Sequence, residues 1–330
     1  MKLKTRFCAC CTKQNCVCEM ALPYDRPSPV SALKTVQMKT ETTGTLHVGT
    51  SSWTFPDWRG VFYPSQTAAD QQLSYYAAQF NSVEANTSFY ALPAPKTLLR
   101  WLESAPEQFT FSLKAPREIT HEKRLVNTEQ TTAAYLDVLR SLGPAAAPGL
   151  IQFPATFTRN SDGRRLADFV DSLAAGAGEM PLSVEVRAFD LMTTSFARFL
   201  LDRRIGFVVV ERTGQPDTFA NWQAAVEVTS SRLPLHIRLI GNDRNPLPDD
   251  KVIRRPQEEL LDKWAKRIAD LLKDGTDVYC YVHNPFEGHA PESVRRLRNL
   301  VDQYLPLPEW KPTIVRPGSD EEDSGQLSLF

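Results

Sequence analysis

The chain has 330 residues, of which 42% are hydrophobic, so it can bury one large core of the kind found in single-domain barrels of roughly 250 residues. Its formal net charge of -1 excludes a protein that binds nucleic acid over its whole surface. The sequence contains no apolar run near the roughly 20 residues that a membrane helix needs and no signal-peptide core at its N-terminus, which predicts a cytoplasmic protein without a membrane partner.

Cysteines are concentrated at the N-terminus of the chain. Five of the six lie within the first 18 residues, at Cys8, Cys10, Cys11, Cys16 and Cys18. Such thiolates can bind zinc or copper, although their spacing lacks the two separated C-x-x-C pairs that are typical of zinc knuckles. Residues 1–44 show no sustained apolar periodicity, which predicts a disordered extension. Zinc at these cysteines and an unstructured leader without metal remain the two alternatives.

From Leu46 onward the sequence repeats one plan, in which a short apolar run ends in a polar residue and a helical pattern usually follows. Eight such runs predict strands at 46–51, 83–86, 109–114, 150–154, 182–187, 205–211, 235–241 and 277–284. Helical spacing predicts helices at about 71–80, 95–104, 128–142, 163–174, 194–204, 257–273 and 291–304. The Ala- and Pro-rich stretch 143–149 reads as a plain connection. Together these patterns predict an α/β fold, a single (β/α)8 TIM-like barrel over residues 45–310.

Polar residues stand in or directly after most of these predicted strands. They are Glu84, Asn86, Lys114, Gln152, Glu185, Arg187, Glu211, Arg238, His283 and Asn284. Any one of them is equally well explained by a buried ion pair between neighbouring strands. Ten such residues from seven strands converge on the C-terminal rim of a barrel, where barrel active sites lie, and so favour a functional site.

Several motifs resemble the DUF72 family, also called YecE-like proteins, over about residues 46–304. They are the segments 48–53, 62–64, 80–90, 111–117, 152–154 and 184–187, together with Thr120 and His121. Two features depart from the family pattern: Ser52 replaces the usual glycine before Trp53, and an Ala/Pro insertion precedes Gln152. The resemblance implies a TIM-like barrel and no particular reaction.

Candidate roles follow from the residue types at the rim. Glu84 and Glu185 are candidates for general acid and base, and His121 for a proton shuttle near neutral pH. A phosphate or another oxyanion would suit the four cations Lys114, Arg117, Arg187 and Arg238. Two of these cations, Lys114 and Arg187, complete the predicted catalytic set. The remaining substrate-binding candidates are Trp53 and Tyr90, as stacking platforms, and Asn86 and Asn284. A divalent metal at the rim is possible, but the histidines there, His121 and His283, are too few for a three-metal site.

The C-terminal residues 311–330 form a predicted flexible tail with an acidic stretch. Its last five residues, from Gln326 through Leu327 and Leu329 to Phe330, resemble the bacterial sliding-clamp-binding motif. Two leucines and a phenylalanine that dock in an apolar groove would contribute roughly 1.5 to 3 kcal/mol each. A tail that folds back on its own barrel is the alternative.

Three functional hypotheses are compatible with these patterns. The first is an enzyme that processes or repairs nucleic acid, DNA or RNA, by hydrolysing a phosphodiester or glycosidic bond at the rim after recruitment by the sliding clamp. The second is a clamp-tethered nucleic-acid-binding module without catalysis. The third is a sugar or sugar-phosphate enzyme whose tail has no role. Whether the protein is an enzyme is therefore open at this point.

Overall fold

A computed structural model describes residues 43–312, which belong to one compact unit. Its strands are β1 (Leu46–Thr50), β2 (Ser82–Ala85), β3 (Thr110–Leu113), β4 (Gly149–Gln152), β5 (Leu182–Glu185), β6 (Gly206–Phe207), β7 (Val209–Arg212), β8 (Leu235–Gly241) and β9 (Val278–Val282). Its α-helices are α1 (Gln72–Gln79), α2 (Pro95–Ser104), α3 (Glu129–Ser141), α4 (Arg159–Ala177), α5 (Thr194–Leu201), α6 (Phe219–Thr229), α7 (Glu258–Lys273), α8 (Asn284–Glu287) and α9 (Ala290–Tyr304). The predicted alternation of strands and helices is confirmed. No helix in this part of the chain has the length and apolar character needed to cross a membrane.

All strand pairs are parallel, and they form three hydrogen-bonded sheets with the orders β1-β9-β8-β7, β2-β3 and β4-β5-β6. Isolated bridges from Phe111 to Ala146 and from Lys114 to Leu150 connect β3 with the chain at β4. The strands thus follow one another in chain order, as in a TIM-like barrel. The ladder of backbone hydrogen bonds is interrupted between β1 and β2 and between β6 and β7 within the described residues.

Side chains bridge the interruption between β1 and β2. The amide of Asn81 accepts from the N–H of Val48 and donates to the carbonyl of Leu46, both at 2.8 Å, as a neighbouring strand would. The hydroxyl of Tyr76 accepts from the N–H of Thr50 at 2.7 Å. Because these backbone groups are satisfied, the edge of β1 is closed without a ladder.

The predicted sixth strand, 205–211, is divided into two pieces that serve different neighbours. β6 pairs with β5, whereas β7 pairs with β8. Between them, the N–H of Val208 donates to the carbonyl of Val184 at 3.0 Å. The apolar run alone could not reveal this change of partner, because periodicity reports which face is buried and not which strand lies alongside.

One helix was not predicted, and one further prediction needs correction. Helix α6 was missed because its buried residues Phe219, Trp222 and Ala225 are interspersed with other apolar residues, of which Val228 is exposed, so that no clear stripe is visible. The stretch 143–149 is more than a plain connection: the N–H of Ala147 donates to the carbonyl of Phe111 at 3.0 Å, which extends the contact with β3.

The helices bury their apolar stripes against the strands. On α7 the fully buried residues Leu261, Trp264, Ala265 and Ile268 follow the three- and four-residue spacing of a helix face. Burial of each large side chain stabilises the fold by roughly 1.5–3 kcal/mol. This packing fixes the strand ends from which the polar residues project.

We expect Gly49→Ala in β1 to destabilise the fold by about 2 kcal/mol, because a methyl group there would lie 1.8 Å from the carbonyl oxygen of Ser82 and would force β1 and β2 apart. The matched control is Gly163→Ala in α4, where the nearest atom would be 3.5 Å away and the helix gains about 0.5–1 kcal/mol. Urea unfolding followed by circular dichroism measures both changes. Equal unfolding midpoints for the two variants would contradict the close approach of the strands.

Candidate functional site

The interior of the strand array holds a buried arginine between two buried glutamates. Arg238 on β8 donates from Nε and Nη2 to the carboxylate of Glu84 on β2 at 2.9 and 2.8 Å, and from Nη1 to the carboxylate of Glu185 on β5. The exposed fraction of Arg238 is 1%, and both glutamates are fully buried. We call Glu84, Glu185 and Arg238 the interior ion cluster. The sequence predicted all three residues at the site, and the structure brings them into direct contact.

Both glutamates of the interior ion cluster are held in the ionised form. Burial alone would raise the pKa of Glu185, but the charges of Arg238 and Arg187 outweigh it and lower the pKa to about 2. Burial is outweighed in the same way at Glu84, where the charge of Arg238 and the hydrogen bonds to the carboxylate lower the pKa well below its usual range. A carboxylate with such a low pKa carries no proton to donate near neutral pH. The geometry therefore does not support a general-acid role for either glutamate.

A hydrogen-bonded polar layer lies on the N-terminal side of the interior ion cluster. Nδ1 of His236 lies 2.7 Å from the hydroxyl of Ser183, and its Nε2 lies 3.4 Å from Glu84. The hydroxyl of Ser82 contacts the hydroxyls of Tyr281 and Thr110, each at 2.8 Å. Burial lowers the pKa of His236, so the ring is neutral near pH 7. His236 was not among the predicted site residues, although its alternation with Arg238 in β8 was a signal that could have indicated it.

Arg187 and Lys114 lie closer to the rim. Nε of Arg187 donates to Glu185 at 2.8 Å, and 22% of the arginine side chain is exposed. Nζ of Lys114 lies 4.0 Å from the ring centroid of Phe89 and forms no hydrogen bond or ion pair with any residue in 43–312. Burial, followed by the charge of Arg238, lowers the pKa of Lys114 to about 8. The lysine is thus a partly buried amine that is close to half-protonated at mildly alkaline pH.

His121 and Arg117 lie on the loop after β3, in and before the π-helical turn Glu118–Glu122. Nδ1 of His121 is 2.7 Å from the hydroxyl of Thr120, and its ring packs edge-on against Phe89. Burial and the charge of Lys114 lower the pKa of His121 to about 4, so the imidazole stays neutral near pH 7. The predicted shuttle near neutral pH is not supported. Arg117 is half-exposed and pairs with Glu122 at 2.8 Å, outside the interior ion cluster.

Two polar side chains next to Glu84 have unused hydrogen-bonding capacity. Nδ2 of Asn86 donates to Glu84 and to the carbonyl of Ser51, but its Oδ1 has no partner among residues 43–312. Nε2 of His283 lies 3.8 Å from Glu84 and has no hydrogen-bond partner in the same part of the chain. Burial and the charge of Arg238 lower the pKa of His283 to about 3. Buried polar atoms are normally paired, so these two atoms are candidate ligand contacts.

The aromatic candidates fall into two groups. Trp53 is 8% exposed and packs edge-on against Trp101, so little of its ring is open to a ligand. Tyr90, in the loop after β2, is 74% exposed, and Phe189, in the loop after β5, is 64% exposed. Phe189 was missed, although its position two residues after Arg187 was visible in the sequence. These two exposed residues follow, in the chain, the strands that carry Glu84 and Glu185.

Three of the polar residues near strand ends contact the protein itself. Oδ1 of Asn284 accepts from the N–H of Ala290 at 3.0 Å and caps the start of α9. Glu211 accepts from Nε1 of Trp264 at 3.1 Å, and therefore faces α7 instead of the interior. The side chain of Gln152 donates to the carbonyl of Phe153 at 2.8 Å. These contacts give Glu211 and Gln152 a structural role. Nδ2 of Asn284 has no partner among residues 43–312, so a binding role for Asn284 stays a prediction.

The structure provides no evident metal site in the range it describes. No group of three or more His, Cys, Asp or Glu side chains within residues 43–312 is placed to hold a metal ion. The rim therefore offers no ready ligand set for the divalent metal that the sequence left open. The five N-terminal cysteines and the pentapeptide from Gln326 to Phe330 lie outside the described residues.

Comparison with known proteins identifies the family. A family model described as a protein of unknown function, DUF72, matches residues 47–314. The chain belongs to the DUF72 family. The UPF0759 protein YecE of Escherichia coli (strain K12) is 29% identical over 288 residues, which cover 83% of this chain and 99% of that protein. The UPF0759 protein YunF of Bacillus subtilis (strain 168) is 22% identical over 277 residues, covering 78% and 95% respectively.

Solved DUF72 structures share the fold. A DUF72 family protein of Thermotoga maritima MSB8 superposes with a TM-score of 0.64 at 23% identity, over 78% of this chain and 99% of that chain. A DUF72 family protein of Enterococcus faecalis V583 gives a TM-score of 0.59 at 15% identity, over 78% and 96%. The predicted α/β, TIM-like fold and the resemblance to DUF72 are thereby confirmed.

We expect Arg238→Met to destabilise the DUF72 fold by about 3–5 kcal/mol at pH 7, because two buried carboxylates would lose their shared cation. Without the arginine the pKa of each glutamate rises above its unfolded value, so the folded variant takes up protons as the pH falls. The loss should therefore shrink between pH 7 and about pH 5, where wild type keeps both carboxylates ionised. Denaturant unfolding at the two pH values measures this difference.

Arg212→Met is the matched control for this prediction. Arg212 is also buried, but the carboxylate of its partner Asp243 is 28% exposed and regains water when the arginine is removed. We expect a loss of about 1 kcal/mol that does not shrink on acidification. Equal losses in the free energy of unfolding would show that the interior ion cluster contributes no more to stability than the pair of Arg212 and Asp243.

Proposed function

We propose that the rim binds a phosphate-bearing segment of nucleic acid and that the protein is a nucleic-acid processing enzyme. The observation that carries this proposal is the division of charge at the site. Glu84 and Glu185 are both occupied by Arg238 in the interior, whereas Arg187 and Lys114 lie nearer the rim. Within residues 43–312 the side chain of Arg187 donates only its Nε, to Glu185, so its two Nη groups and the amine of Lys114 remain open to a ligand. An arginine side chain suits the oxygen atoms of a phosphate.

Hydrogen-bonding groups at the same rim favour a polar organic ligand over a bare ion. Oδ1 of Asn86 can only accept a hydrogen bond, and the neutral ring of His283 can donate or accept at Nε2. A sugar hydroxyl or a base edge can satisfy both atoms. A phosphodiester group, whose free oxygens only accept hydrogen bonds, cannot pair with Oδ1 of Asn86.

Exposed aromatic rings favour a nucleic-acid segment among polar phosphate compounds. Tyr90 and Phe189 follow β2 and β5, the strands that carry the two interior glutamates. Stacking of a base on such a ring contributes about 1–3 kcal/mol and tolerates any base sequence. Arg187 and Lys114 would then hold the backbone while Tyr90 and Phe189 stack on bases.

The reaction we propose is cleavage of a phosphodiester or glycosidic bond in the bound strand. Among the rim groups, Lys114 is best suited to proton transfer, because its pKa of about 8 lies closest to neutral pH. Arg187 is placed to stabilise negative charge that develops on phosphate oxygens. Glu84 and Glu185 would position the two arginines and would not exchange protons.

Recruitment by the bacterial sliding clamp is part of the proposal and rests on sequence alone. The motif from Gln326 to Phe330 supports it, and so does the acidic stretch before the motif, which suits a tether. Clamp binding would bring the rim to DNA that is being replicated or repaired. A non-catalytic module with the same tail would bind nucleic acid in the same way and fail to turn it over.

We expect Arg187→Met to weaken binding of a single-stranded oligonucleotide by roughly 10-fold or more, because a charge-assisted phosphate contact contributes about 1.5–3 kcal/mol. The slope of log affinity against log salt concentration should fall by about 0.7. Fluorescence anisotropy across a salt series measures both quantities. Tyr90→Ala and Phe189→Ala should each weaken binding and leave the salt slope unchanged.

Arg140→Met provides the matched control. Arg140 is near the C-terminal end of α3, at the end of the strands opposite the rim, and pairs with Asp137 on the surface. Its removal changes net charge as Arg187→Met does, and we expect unchanged affinity. Equal effects of the two substitutions would show that binding depends on the net charge of the protein and not on a specific contact with Arg187. Tight binding of a sugar phosphate together with a flat salt response for DNA would favour a small-molecule enzyme instead.

We expect the full chain to bind a purified bacterial sliding clamp with micromolar affinity, about -8 kcal/mol, and a chain lacking residues 326–330 to lose this binding. Isothermal titration calorimetry of both proteins makes the comparison, and a chain with residues 326–330 in scrambled order controls for charge and length. Clamp binding that survives both changes would refute the role of the pentapeptide.

A further inference from the structure

Lys114 is held firmly at its backbone, while its amino group has no polar partner among residues 43–312. The residue follows β3, and its carbonyl accepts from the hydroxyl of Ser88 at 2.7 Å. A parallel bridge links Lys114 to Leu150 on β4. Its Nζ rests 4.0 Å from the Phe89 ring centroid and contacts no carboxylate within 4.0 Å among residues 43–312. The stem of Lys114 is thus fixed, whereas its amine forms no ion pair with residues 43–312.

The charges around Lys114 explain why its amine forms no ion pair with residues 43–312. Glu84 on β2 and Glu185 on β5 are its acidic neighbours, but both are bound by Arg238 on β8. Arg238 and Arg187 add positive charge next to the amine, and His121 on the following loop is neutral. Burial and neighbouring cations both favour the uncharged amine, which lowers the pKa of Lys114 to about 8. A lysine that is desolvated and placed near another cation is activated as a nucleophile.

We propose that Lys114 is a nucleophile whose amine forms an imine with the aldehyde carbon of a phosphate-bearing sugar. The inference rests on the proposed function in one respect, the phosphate contact through Arg187. It deepens that function by naming the substrate class: a sugar whose ring has opened to an aldehyde. Such a group occurs in a nucleic-acid strand that has lost a base, and also in a free aldose phosphate.

The step balances without any further reactant. The Nζ lone pair forms a bond to the aldehyde carbon, and the oxygen leaves as water after taking up two protons, one from the amine and one from solvent. The product is a protonated imine. In an abasic strand this imine acidifies the neighbouring carbon, so that loss of a proton to solvent expels the phosphate on the next carbon and cuts the strand. Water then hydrolyses the imine and restores the lysine.

The alternative is a structural role, in which the Lys114 ammonium only stabilises the loop through its cation–π contact with Phe89. The two roles differ in one measurable respect. A reactive amine leaves a permanent bond to its substrate when the imine is reduced, whereas a structural cation leaves none. Reductive trapping therefore separates them.

The test incubates the full chain with sodium cyanoborohydride and one of three probes: a single-stranded oligonucleotide with one abasic site, ribose 5-phosphate, or the intact oligonucleotide. Peptide mapping by mass spectrometry locates the adduct. We expect adducts with aldehyde probes on the peptide that contains Lys114, at least 10-fold above those of Lys114→Arg and Lys114→Met. The initial trapping rate should rise between about pH 7 and pH 9 as the amine loses its proton.

Two controls keep the result interpretable. Lys96→Arg changes an exposed lysine on α2 and should leave trapping unchanged. Lys114→Cys treated with bromoethylamine restores an amine at this position and should recover trapping if the variants are folded, as checked by circular dichroism. Adducts on Lys114 no more abundant than on Lys96 would overturn the proposal.

The probes also distinguish this inference from the proposed function. An oligonucleotide that binds with the expected salt dependence but forms no adduct would refute the role of Lys114 and leave the proposed function intact. An adduct with ribose 5-phosphate, without binding or reaction of the strand, would support Lys114 as nucleophile and refute the nucleic-acid function. An adduct with the abasic strand supports both.

Discussion

Arg238 connects its own four-stranded sheet with a strand of each of the other two sheets. Its own strand, β8, belongs to the four-stranded sheet, and its two carboxylate partners stand on β2 and β5, which belong to the other two sheets. The interior ion cluster therefore joins one strand from each sheet. A buried ion pair is weak evidence for net stability, because desolvation opposes the attraction. Here the ion cluster instead fixes the relative positions of β2, β5 and β8, because the guanidinium group can pair with both carboxylates only when all three strands are in place.

The same arrangement decides what chemistry the rim can perform. A pair of buried glutamates is the usual expectation for acid–base cleavage, in which one carboxyl group has a raised pKa. Here both glutamates share Arg238, and both have lowered pKa values. Their role is to hold arginines. The reactive groups must then be sought among the side chains that these carboxylates do not neutralise, above all Lys114.

Strand periodicity was enough to predict the fold class and to place Glu84, Glu185 and Arg238 among the polar residues that converge on the C-terminal rim. It could not show that the three residues touch, because distances between strands depend on the packing of the whole array. The chemical roles of the residues were harder to predict than their positions. The ordinary pKa of imidazole predicts a proton shuttle at His121, but burial and the charge of Lys114 lower that pKa. Residue type predicts a stacking platform at Trp53, whereas the packing of its ring on Trp101 depends on how the loop folds.

Charge balance in the interior explains why the pKa of Lys114 is lowered. Two carboxylates, Glu84 and Glu185, face two guanidinium groups, Arg238 and Arg187, and all four ions are paired. A protonated Lys114 would be a third cation beside a balanced set, in a place that is partly withdrawn from water. Guanidinium groups do not lose their protons in this pH range, so the lysine is the group that does. The interior ion cluster, which joins one strand from each sheet, thus also lowers the pKa of Lys114 at the rim.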